Sequence, residues 1–124
     1  MNTSIYLREL ILASDVVRSI VGTRVYSLTN ELTDTDEPYI TYFQSGGLPA
    51  YDWQARYWTE ERFNLDLFTG GTAEQVVLLR ELRRLIENGP KPARIEEERE
   101  QATAPGAPLF RFTLIVSFIN TSTE

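Results

Sequence analysis

Arg62-Phe63-Asn64-Leu65-Asp66-Leu67-Phe68-Thr69 is the stretch on which the fold reading turns. Phe63, Leu65 and Leu67 alternate with Arg62, Asn64 and Asp66, the period of two that sends successive side chains to opposite sides of a strand. One face is apolar and the other is polar, so the strand belongs to a sheet with one buried and one wetter face. Thr69-Gly70-Gly71-Thr72 then turns the chain into the strongest helical pattern in the sequence. Thr72 and Gln75 have the spacing of a capping box. Val76, Leu79, Leu82, Leu85 and Ile86 recur as one apolar face, with Arg80, Glu81, Arg83 and Arg84 outside it. Asn88-Gly89-Pro90 ends that helix.

Upstream, Ser4 is a candidate cap for a helix over residues 5–13, with Leu7, Leu10 and Ile11 as its stripe. The pattern restarts at Ser14, and Val16, Val17, Ile20 and Val21 form a second short apolar face. Gly22 is placed to stop it in a left-handed conformation. A brief strand at 24–28 and a polar loop at 30–37 follow. Pro38 opens a strand at 39–45, which Gly46-Gly47 and Pro49 are expected to end. Residues 48–56 read either as a long hairpin arm or as two ragged strand extensions around Asp52. Downstream, residues 93–102 are almost all charged and read as a solvated edge strand or a ragged arm. After a Pro- and Gly-containing loop at 104–108, residues 109–119 form a long strand. Its Phe110, Phe112, Leu114, Val116 and Phe118 share one face.

The order helix, strand, strand, strand, helix, strand, strand predicts an α+β fold. A mainly antiparallel sheet carries two helices packed on one face, in a single domain over residues 1–124. The 124 residues leave little room for a second domain.

Composition narrows function. The chain contains neither Cys nor His. Thiolate chemistry and disulfides are excluded, and so are the commonest general acid–base and the commonest nitrogen ligand for transition metals. Glu61 and Asp66 lie at odd spacing on one strand and do not form a carboxylate pair. Gly70-Gly71 lacks the lysine and spacing of a phosphate loop. No catalytic residue, cofactor or metal is expected, and the expectation is a non-enzyme. The net charge of −6 argues against a grip on nucleic acid phosphates. No apolar run is long enough for a membrane span and no signal peptide is evident, so no membrane partner and a soluble intracellular protein are expected.

Val21-Gly22-Thr23-Arg24-Val25-Tyr26 after a short helix, and then Glu37-Pro38-Tyr39-Ile40-Thr41-Tyr42, resemble the opening of the siphophage tail-completion or tail-terminator proteins, a family of minor tail proteins. Residues 63–68 look like the family's central strand and 109–119 like its closing strand, so the resemblance spans essentially the whole chain. It implies a structural protein made in the host cytoplasm and carried in the virion at the head-proximal end of the tail. There it forms a ring, expected to be a hexamer, that ends tube polymerisation and provides the head–tail joining surface. The implied partners are further copies of the chain, the tail-tube protein and the head–tail connector proteins, with DNA only as passing, non-specifically contacted cargo in the lumen. Alternative readings are a head-completion or connector protein of the neck, and a small non-viral α+β ligand-binding domain.

The chain departs from the family pattern at 48–57 and in the glutamate run, places suited to partner-specific variation. The candidate interface residues are therefore Tyr51, Trp53, Tyr57 and Trp58, whose rings either cap the core or anchor a neighbour, and Arg80, Arg83, Arg84, Glu96, Glu97 and Glu98. The arginines read as an exposed helix face or as salt-sensitive pairs with a neighbour's glutamates. The glutamates read as a solvated edge, since consecutive strand residues do not converge on one ion. An acidic lumen wall is the other functional reading. Exposed strand edges are a further means of joining neighbours, by extending the sheet.

Overall fold

A computed structural model describes residues 3–27, 37–51, 57–101 and 108–122, without the side chains of 47–59 and 120–122. The elements in chain order are α1 (Thr3–Leu12), α2 (Asp15–Val21), β1 (Val25–Ser27), β2 (Tyr39–Tyr51), β3 (Tyr57–Thr69), α3 (Thr72–Glu87), β4 (Ala93–Glu100) and β5 (Phe110–Ser122). The strands form one sheet in the order β1-β2-β3-β5-β4. Every neighbouring pair is antiparallel except β1 and β2. This is the expected mainly antiparallel α+β sheet with its helices on one face.

Among the described residues the helices number three because the N-terminal helical segment is interrupted. Ser14 leaves helical geometry, and its hydroxyl accepts from the Val17 N–H at 3.3 Å to cap α2. The same hydroxyl donates to Glu81 Oε2 at 2.6 Å, which ties α2 to α3. Ser4 lies within the first turn of α1 and does not precede it.

The two opening motifs of the resemblance meet at one corner. Gly22 ends α2 with φ 60° and ψ −124°. The positive φ was expected, but ψ lies outside the left-handed helical basin, in a region that glycine alone adopts readily. Arg24 then donates through Nε to the Pro38 carbonyl at 2.8 Å and through Nη2 to the Ile20 carbonyl at 3.4 Å. It also pairs with Glu37 at 3.4 Å. One arginine thus pins the end of α2 to the entry of β2, and Val25 takes its place beside Ile40.

The core lies between sheet and helices. Leu7 and Ile11 of α1, Val17 and Val21 of α2, and Leu78, Leu82 and Ile86 of α3 cover Ile40, Tyr42, Phe63, Leu65, Leu67, Leu114, Val116 and Phe118. Phe118 meets Tyr6 and Phe63 edge-on at centroid distances of 5.9 and 6.0 Å. Tyr6 is held in turn by the loop after α3. Its hydroxyl accepts from the Lys91 N–H at 3.3 Å, and a Cβ on Gly89 would come within 2.9 Å of it.

Several local expectations are corrected. The face that α3 buries runs through Gln75, Leu78, Leu82 and Ile86, and Val76 is exposed. Leu79 and Leu85 pack at its margin. The N-cap of α3 is Gly71 without a side-chain cap, so Thr72 is already helical and the capping box does not form. β2 does not stop at Gly46-Gly47. A register shift between Gln44 and Gly46 absorbs the irregularity, and the strand continues through Pro49 to pair Tyr51 with Tyr57. Residues 48–51 and 57–61 are therefore strand extensions that together build a hairpin arm, with β5 alongside as far as Ser122. Phe110 shares the face of Leu114 but overhangs the core and is exposed.

Candidate functional site

The sheet's second face carries polar chemistry that the alternation of β3 only hinted at. Arg62 and Asn64 make this the wetter face, as expected, but Asp66 points there and is only 3% exposed. It accepts from Arg111 Nε at 3.2 Å and Nη2 at 3.1 Å, and from the Thr113 hydroxyl at 2.6 Å. Gln101 donates to that hydroxyl at 2.8 Å. The Arg111 guanidinium also lies 5.8 Å from the Phe68 ring centroid, and Phe68 stacks on Tyr39 at 4.4 Å. A forked guanidinium on a carboxylate is a geometrically demanding pair. Here it roofs the sheet with side chains alone, since no helix lies on this face among the described residues.

Further along the same face, Arg62 donates to Glu96 at 2.7 Å, and Arg94 reaches Glu96 at 3.1 Å and Glu60 at 3.8 Å. Partial burial pushes the Glu96 carboxyl up. The Ser117 hydroxyl beneath it and the two arginines pull it down and prevail, so it titrates below the usual carboxylate range. The Ser117 hydroxyl is buried and meets no partner at standard hydrogen-bond geometry.

The predicted interface residues fall in three places. Tyr51, Tyr57 and Trp58 stand at the end of the hairpin arm, with Trp58 in register between Ala50 and Thr121. Trp53 lies outside the described residues. The glutamates do not act as a block. Glu96 lies on the open face with Arg94, while a bulge between Ile95 and Glu97 turns Glu98 to the helix side, where it pairs bidentately with Arg83. Glu97 pairs with Arg99 at 3.1 Å. Because each of the three has an arginine, the charge an acidic lumen wall would need is largely compensated within the chain.

Of the three helix arginines, Arg83 is tied to Glu98 and Arg84 to Glu81 at 2.5 Å. The hydrogen bonds from Arg84 and then Ser14 hold the Glu81 carboxyl below its usual range. Arg80 is exposed and has no ion-pair partner among the described residues. It lines an open cleft of about 220 Å³ with Val16, Val77, Glu81 and Arg84. A second, polar cleft of about 550 Å³ lies between α3 and β4, lined by Arg83, Glu87, Ile95, Glu96, Glu97 and Glu98.

Sheet extension finds poor templates at both long edges. β4 is charged and bulged, and the part of β2 beyond its pairing with β1 carries a bulge and Pro49, which has no N–H to offer. That leaves the helix layer and the open sheet face as the surfaces suited to contacts. Sequence reasoning missed Arg111 and Thr113 as partners of Asp66 because they lie 45 and 47 residues away. The cleft valines were missed too, one because it was assigned to the core.

Among the described residues no group of three or more acidic, His or Cys side chains converges as a metal site. No helix there is long and apolar enough to cross a membrane. No protein-family model and no curated protein matches the chain. Among solved structures, a chain in the virion of a native gene transfer agent particle superposes with a TM-score of 0.74. It is 14% identical, and the match covers 94% of this chain and 92% of that one. At that identity the likeness is one of fold, and it extends over nearly the whole of both chains: this protein shares its fold with a virion component.

Proposed function

We propose that the chain is a non-catalytic structural subunit of a phage-like virion, one that closes as a ring on the head-proximal end of a tail tube. The observation that carries this reading is the end-to-end likeness in fold to a chain of the gene transfer agent virion. The tail position and the ring come from the resemblance of residues 21–26 and 37–42 to tail-terminator proteins. The corner where Arg24 binds the Pro38 carbonyl makes those two segments one structural unit, so they count together. The non-catalytic part is supported by the absence of His and Cys from the sequence. It is also supported by Glu60, Asp66, Glu81, Glu96, Glu97 and Glu98, each of which is paired with an arginine.

In this reading the subunit ends tube growth and offers a joining surface to the connector proteins of the head, with DNA passing through the ring. Electron microscopy of the purified protein mixed with tail tubes tests it. A ring-shaped cap at one end of each tube is the expected result. Tubes that remain bare and continue to elongate in the presence of excess protein would reject it.

A further inference from the structure

The first turns of α3 are inverted relative to an ordinary surface helix. Gln75 faces inward at 9% exposure, while Val76 and Val77 stand outward at 45% and 47%. Valine is a mediocre helix former because its branched Cβ restricts χ1. Two outward valines therefore gain little propensity and only about half of their burial in the isolated subunit. Val16 of α2, 40% exposed, faces Val77 across the cleft that Arg80 borders. This surface is apolar with an uncompensated positive charge.

Its complement lies on the other flank of α3, toward β4. Phe110, at the start of β5, is 45% exposed. Its neighbour on the same face, Phe112, stands opposite Glu100 at the end of β4. Glu100 is exposed and, like Arg80, has no ion-pair partner among the described residues. This second surface is apolar with an uncompensated negative charge.

We infer that Phe110 and Glu100 of one copy dock on the Val16–Val77 cleft and Arg80 of the next. The inference rests on the ring reading and names the surfaces that would meet. Two different, complementary patches on one chain make a heterologous contact, which repeats with constant sense and closes when its rotation allows. A self-complementary patch would stop at a dimer. The aromatic ring supplies the buried anchor and the ion pair sets its orientation.

The cysteine-free sequence makes the contact directly testable. Arg80→Cys and Glu100→Cys are made in separate chains, each then holding a single exposed thiol with Phe110 and the cleft valines intact, and the two are mixed at high concentration and oxidised. The mixed R80C–E100C dimer should exceed either homodimer by about tenfold, a discrimination near 1.4 kcal/mol. R80E should weaken self-association by about tenfold and E100R in the same chain should restore it. Light scattering on the wild type separates the two failures. Assembly without the mixed cross-link, or assembly indifferent to R80E, overturns this contact and leaves the ring. A wild type that stays monomeric in solution and ignores tail tubes overturns both.

Discussion

Both faces of β3 carry buried side chains, shielded by different means. On one, Phe63, Leu65 and Leu67 lie beneath α1, α2 and α3 in a core built almost wholly of apolar side chains. On the other, Asp66 is sealed by Arg111 and Thr113, side chains of the neighbouring strand. The first face is excluded from water by a separate layer and the second by its own fittings. Removing apolar volume should therefore damage the first face most, while the second should respond to loss of a partner or to protonation of Glu96.

Phe118→Ala should have the largest effect, about 3–5 kcal/mol of lost stability in urea unfolding followed by circular dichroism. The ring joins β5 to both Phe63 and Tyr6, so the cavity would open at the junction of sheet and helices. A loss below about 1 kcal/mol would mean the helix layer collapses readily onto the gap. Asp66→Ala comes next, at about 1–3 kcal/mol. It leaves Thr113 with Gln101 alone, while Arg111, half exposed, turns to water. An effect as large as that of Phe118→Ala would erase the distinction between the faces.

Acid should act on the polar fittings first. Glu81 and Glu96 titrate below the ordinary 4.5 when folded. Their contribution is thus whole above pH 4.5 and is lost as the pH falls through the lowered values. Urea midpoints measured downward from neutral pH should hold and then decline below about 4.5, and Glu96→Gln should flatten part of that decline. A midpoint unchanged into strong acid would contradict both pairings. Ser117→Ala should change stability least, within about 0.5 kcal/mol in either direction, since its hydroxyl has no full hydrogen bond to lose. A loss above about 1 kcal/mol would show that the hydroxyl holds Glu96 in place.

What could be read from the sequence was whatever is periodic and local. Alternation placed β3 and β5 with the correct faces, Ser14 and Gly22 bounded α2, and the charge of residues 93–102 left an edge strand or a ragged arm, of which the edge strand forms over Ala93–Glu100. The misreadings arose where local rules competed with tertiary ones. Val76 fits the helical period of Leu79 as well as Leu78 fits that of Leu82, and only the position of the sheet beneath α3 decides between the two stripes. Gly46-Gly47 and Pro49 are chain-ending signals in isolation, yet with β3 alongside, a bulge carries β2 past them. For the candidate site the limit was distance along the chain. The Arg24–Pro38 corner spans 14 residues and lay within motifs already noticed. The Asp66–Arg111 roof spans 45 and left no local trace.

The bulge in β4 has a mechanical consequence. In an unbroken strand, residues two apart share a side, so Glu96 and Glu98 would both have faced the same layer. With one residue out of step, Glu98 clasps α3 while Glu96 clasps β3 through Arg62. An outermost strand made this way is a two-sided clip. Prising it loose must open the helical roof and the sheet floor together, so the rim of the molecule should yield as one unit and resist fraying residue by residue.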